Sequence, residues 1–165
     1  MNFTPLYQLP NAWTLASDRF GLHLFDGEVT VDEMDEMERL AASWHESNPG
    51  RTVELVVIEP SRHRMTGEER RRMSELMKTW EHARAASATV IVADGLLGAI
   101  HRSILTGLVM LAPPAHPAKI CPNLSAALDF LRPHLDELGD TRTHAELLDG
   151  VKGQLSAFES RTTRR

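Results

Sequence analysis

Eight histidines, His23, His45, His63, His82, His101, His116, His134 and His144, are the side chains best suited to hold a metal ion or carry a proton near neutral pH. None forms a His-x-x-x-His pair and none sits in a Glu-bearing zinc motif, so no linear metal site is present. A site assembled from distant histidines and carboxylates stays open; the plainer reading is eight surface or half-buried imidazoles. Gly95-Leu-Leu-Gly98 follows a strand and opens a helix, but it is neither a P-loop nor a dinucleotide fingerprint; tight strand-to-helix packing is the first reading and weak anion binding at the helix start the second. Cys121 falls in a predicted strand, where a free thiol is a small buried hydrophobe. No serine lies in a G-x-S-x-G elbow. Asp32, Glu33, Asp35, Glu36 and Glu38 crowd one helix start, where they complement the helix dipole and lack a partner for acid–base work. Arg70, Arg71 and Arg72 are interleaved with Glu68, Glu69 and Glu75. That pattern reads as a solvated helix face with i,i+4 pairs such as Glu68–Arg72. The residues offer no catalytic constellation and no cofactor box, so a non-enzymatic chain without a cofactor is expected.

One stretch gathers reactive groups at a useful place. Ser61, Arg62, Arg64, Thr66 and Gly67 precede a helical pattern, and Thr66 with Glu69 makes a capping box. Thr66 reads first as an N-cap. The same hydroxyl, or that of Ser61, reads second as the acceptor of a regulatory phosphate. A phosphate there would meet free backbone N–H groups, the positive end of the helix dipole, and Arg62 or Arg64.

The elements that must carry these groups follow from periodicity. Residues 13–16 and 22–25 read as antiparallel strands, with an extension through Glu28 and Val29 open. Val31, Met34, Met37, Leu40, Ala41 and Trp44 recur at helical spacing, capped by Thr30 and Glu33 and stopped at Asn48-Pro49-Gly50. Residues 53–58 form a β-branched run, and Met73, Leu76, Met77, Trp80 and Ala83 mark the helix after Thr66. Residues 88–93 read as a buried strand, 97–111 as a largely apolar helix, and 118–121 as a short strand. Asn123 caps a helix burying Leu124, Ala127, Leu128 and Leu131, which Pro133 kinks or ends. Thr143 and Glu146 cap a last helix with Leu147, Leu148, Val151, Leu155 and Phe158 on one stripe. The methionine and tryptophan stripes of the two capped helices read as core, and adaptable methionine faces also suit partners. The expected architecture is α/β: one mixed, mostly parallel sheet of four or five strands with helices packed on it and an extra C-terminal helix.

Composition sets the outer bounds. The 165 residues carry 18 Lys+Arg and 23 Asp+Glu, a formal charge of −5, which argues against nucleic-acid binding. The apolar content of 42% is that of an ordinary globular chain, and one cysteine excludes an internal disulfide. The N-terminus lacks a secretory pattern, and the most apolar window, 88–113, is broken by Asp94, His101 and Arg102. No membrane span is therefore expected, and the cytoplasm is the default. A domain over 1–140 is expected, followed over 141–165 by the last helix and a frayed basic tail. That helix either covers a flank of the core or forms a homodimer contact.

The order of elements resembles the STAS domain of bacterial anti-sigma-factor antagonists and the related SpoIIAA-like group. The stretches VELVVIEPSRHRMTGEERRRM (53–73) and ATVIVADGLLGAIHRSILTGLVMLAPPAHPAKICPNLSAALDFL (88–131) carry the resemblance over about half the chain. It implies a domain that binds a kinase-like or sigma-regulatory protein partner through the loop 61–68 and the helix after it. Family antagonists carry an Asp-Ser-Ser/Thr-Gly motif in that loop, where a partner kinase phosphorylates a hydroxyl. Here Arg64-Met65-Thr66-Gly67 keeps the glycine and one hydroxyl, but has Arg64 for the aspartate and Met65 at the usual acceptor position. The fold's link to lipid-binding CRAL-TRIO domains implies the alternative, a small-molecule or lipid-binding module with a cavity beside the 97–111 helix.

Overall fold

The computed structural model describes residues 2–26, 29–59, 66–92 and 114–162. Within them lie β1 (Thr4–Gln8), β2 (Ala12–Ser17), β3 (Phe20–Asp26), α1 (Val31–Ser47), β4 (Thr52–Glu59), α2 (Gly67–Thr79), a 3-10 turn (Glu81–Ala83), β5 (Arg84–Ile91), β6 (Ala118–Cys121), α3 (Leu124–Glu137) and α4 (His144–Thr162). The six strands form one sheet in the order β1-β2-β3-β4-β5-β6. β1–β2 and β2–β3 pair antiparallel; β3–β4, β4–β5 and β5–β6 pair parallel.

The α/β class holds, while the sheet is larger and more mixed than expected. The additional strand is β1, whose apolar pattern is interrupted by Pro5. Proline is tolerated there because β1 borders the described sheet and its register shifts between Pro5 and Tyr7. β5 begins at Arg84 rather than 88, and α2 ends at Thr79 rather than reaching Ala83. The alanines of 83–88 are weak strand formers alone; pairing Val53 with Ala86 and Leu55 with Ala88 makes them sheet. Pro133 does not end α3, which continues to Glu137 and fully buries Leu135 beyond the proline. The expected helix 97–111, the extension at Glu28, and Ser61, Arg62 and Arg64 lie outside the described residues.

Parallel strands in consecutive order, joined by crossovers of one hand, carry their helices on one face. α1 and α2 therefore lie on one side of the sheet, and α3 and α4 fill the other. The α3/α4 side holds the larger core: Leu15, Phe20, Leu22, Leu24, Val53 and Leu55 meet Leu128, Leu131 and Leu135 of α3. Leu147, Val151 and Phe158 of α4 belong to the same core, so this helix covers a flank of the sheet. Arg142, before α4, donates to the Ser17 hydroxyl at 2.6 Å and pairs with Asp140. It thereby ties the α4 start to the β2–β3 turn. Cys121 is fully buried, as its place in a strand implied. Among the described residues no helix is long and apolar enough to cross a membrane.

Candidate functional site

Strand alternation sends every second residue to the α1/α2 side, and there the sheet turns polar. Tyr7 of β1, Thr14 of β2, His23 of β3 and Glu54 of β4 share this face, with Thr52 and Arg84 toward the amino ends of β4 and β5. Tyr7 pairs in register with Thr14, and Thr14 with His23. Thr14 Oγ1 lies 2.8 Å from His23 Nδ1. His23 Nε2 stands 3.6 Å from Glu54 Oε2, beyond hydrogen-bonding reach. It is buried without a hydrogen-bond partner.

Glu54 is 6% exposed. Arg84 donates through Nε to its carboxylate, and through Nη1 to the Met77 carbonyl of α2 at 2.8 Å. The Thr52 hydroxyl approaches the other carboxylate oxygen at 3.4 Å. Burial pushes the Glu54 carboxyl up, but the adjacent His23 and Arg84 outweigh it and hold the group at about 2. Glu54 is thus ionised at neutral pH and can only accept, so the His23 nitrogen facing it carries the proton. Thr14 can then donate to His23 Nδ1. Burial also pushes the Tyr7 hydroxyl well above its ordinary value, partly offset by Thr14.

Ser87 is the register partner of Glu54 on β5, and its hydroxyl lies 2.9 Å from His116 Nε2. His45 of α1 stacks on Trp80, with ring centroids 4.6 Å apart. Burial lowers the pKa of both His45 and His116. Three of the eight histidines therefore gather around one ion pair. The described residues nevertheless contain no group of three metal-ligating side chains placed to hold an ion.

A cavity of about 40 Å³ lies between this face and α1. Its floor is Tyr7, Thr14, Gly21, His23 and Glu54, and its roof is Ala41, Trp44 and His45. Gly21 keeps the floor open: a Cβ there would sit 3.5 Å from both His23 Nε2 and Glu54 Cγ.

The start of α2 is a separate place. The Thr66 hydroxyl accepts from the Glu69 N–H at 3.2 Å, and the Thr66 N–H donates to the Glu69 carboxylate at 2.6 Å. A Cβ on Gly67 would meet nothing within 4 Å. Of the five residues singled out from the loop, Thr66 and Gly67 thus stand together at an exposed helix start. Arg72 does not pair with Glu68 as expected. It reaches α1 instead, donating to Asp35 at 2.6 Å and Glu38 at 2.5 Å. Met77, expected in the core, is 58% exposed, whereas Met34 and Met37 are buried.

No family model, curated protein or solved structure matches this chain.

The polar face was not foreseen from the residues. Its signal was available: a strand sandwiched between helices should be apolar on both sides, and Thr14, His23, Glu54 and Ser87 each break that rule at alternate positions.

Proposed function

We propose that this chain is a non-enzymatic regulatory or adaptor domain of STAS/SpoIIAA-like type. It binds a protein partner through the loop 61–68 and the exposed face of α2. The observation that carries this reading is Met77, a large apolar side chain 58% exposed on a helix whose other side is pinned to α1 through Arg72. Ser74 and Arg70, three and seven residues before Met77, continue the same stripe along α2. An adaptable thioether beside basic side chains suits an apolar partner patch bordered by acidic groups. The resemblance to anti-sigma-factor antagonists is what suggests a kinase-like or sigma-regulatory protein as that partner.

The test is retention of a partner from the source lysate by the tagged chain and by two variants. Met77→Asp and the pair Arg62→Glu/Arg64→Glu are expected to lose that partner with unchanged circular dichroism. A partner retained equally by both variants would overturn the reading. Thr66→Glu and Thr66→Ala decide the phosphorylation version: equal partner affinity in both removes it.

A further inference from the structure

We infer that the chamber between α1 and the polar sheet face is a binding site for a compact neutral molecule with a hydroxyl head and an apolar body, a small alcohol or a phenol. This goes beyond the partner surface on α2 and does not depend on it.

Hydrogen-bond accounting at His23 calls for the hydroxyl head. His23 Nε2 is buried with no partner, and the Glu54 carboxylate nearest to it is 3.6 Å away. A buried donor left unpaired forfeits its hydrogen bond to water without replacement, so a group that pairs it is strongly favoured. The group must accept from Nε2 and donate to the carboxylate. A hydroxyl does both with a single oxygen; an amine cation, a carboxylate or a halide does not. Charge agrees with a neutral guest: Arg84 already compensates Glu54 by direct contact, leaving no net charge for a ligand to neutralise.

The opposite wall of the chamber calls for the apolar body. Leu6, Ala16, Ala41 and Trp44 line the same cavity, and Leu6, Ala41 and Trp44 are themselves only half-buried, so the chamber reaches the surface between β1 and α1. A volume of about 40 Å³ exceeds what one water needs, roughly 10–15 Å³, and is too small for a drug-sized molecule. The head enters and the body lies along Trp44 at the mouth.

Phenol is the probe, titrated into the full chain while the His23 ring and Trp44 indole signals are followed by NMR. Saturable shifts of both are expected, together with at least a tenfold weaker response to toluene, which has the shape without the hydroxyl. Gly21→Ala places a methyl between His23 and Glu54 and is expected to weaken phenol at least tenfold. Ala41→Leu fills the chamber from the helix side and serves if the glycine variant fails to fold. Non-saturating shifts, showing a chamber that holds water only, would overturn the inference. So would equal binding of toluene, or phenol affinity unchanged in the folded variants.

Discussion

The two faces of this sheet are cut from the same strands, residue by alternate residue, and they are held by different physics. Toward α3 and α4 the strands present Leu15, Phe20, Leu22, Leu24, Val53 and Leu55, and the helices answer with leucines. That face is secured by apolar area removed from water, which is non-directional and tolerant of repacking. Toward α1 and α2 the strands present Tyr7, Thr14, His23 and Glu54, and among the described residues the apolar cluster there buries Met34, Met37, Leu76, Ala12 and Tyr7. That face is secured by directional bonds whose members depend on one another. The difference teaches where each kind of change is tolerated: small losses of volume on one side, no loss of a partner on the other.

The apolar face should lose most when α4 is removed. Ending the chain at Asp140 removes Leu147, Val151 and Phe158, each at most 2% exposed. At about 1.5–3 kcal/mol per buried side chain, the loss rivals the 5–15 kcal/mol or so that typically holds a domain. Calorimetry of the truncated chain should show no cooperative transition. A truncated chain that melts like the full one would mean that α4 contributes nothing to this core.

Next comes the polar side. Glu54→Gln leaves the Arg84 guanidinium, buried beside it, without its counter-charge, and should cost about 3–5 kcal/mol in urea unfolding. The double variant Glu54→Leu/Arg84→Met removes both charges and should recover most of that loss. Equal destabilisation by the single and double changes would show that the pair is not what holds the face.

Acid should dissolve the polar face before the apolar one. His45 and His116 have pKa values lowered by burial below the ordinary 6.5, so the unfolded chain binds more protons than the folded one below that pH. Stability rises with pH in that window and is lost as pH falls through the folded-state values. Glu54 adds a second, lower step: its contribution is complete above about 4.5 and is lost as pH falls toward about 2. Urea midpoints followed from pH 8 to pH 3 should therefore fall in two stages, and Glu54→Gln should shrink the lower one, to which Asp140, held down by Arg142, also contributes. A flat profile across both windows would contradict the burial of these groups.

The smallest effects belong to the α2 start. Thr66→Ala should cost about 1 kcal/mol through the lost cap. Gly67→Ala should gain about 0.4–1 kcal/mol, because the site is open and the unfolded chain becomes less free. Both are read from the thermal midpoint; a stabilising Thr66→Ala would show that the hydroxyl is strained rather than capping.

Much of this layout was legible in the residues because it is locally determined. Thr30 with Glu33 and Thr66 with Glu69 cap α1 and α2 as their spacing implies, and Thr143 with Glu146 bonds reciprocally at the α4 start. Val53, Leu55 and Val57 alternate into the core of a strand. What was not legible depends on neighbours distant in sequence. Tyr7 and Gln8 lie between Pro5 and Pro10 and become strand only because Thr14 and Trp13 of β2 pair with them. Arg72 looks like the partner of Glu68 until α1 brings Asp35 and Glu38 alongside.

Helix starts, strand alternation and the α/β class are written in the chain locally, because caps and periodicity act within a few residues. That Tyr7, Thr14, His23 and Glu54 line one chamber, with Arg84 paired to Glu54 beside it, follows only once the strands are assembled. They come from five strands, and their meeting is fixed by sheet register and by the side on which α1 and α2 lie. Neither can be read from any one segment. A register shift of a single residue would turn Glu54 toward the leucines and leave Arg84 without a partner.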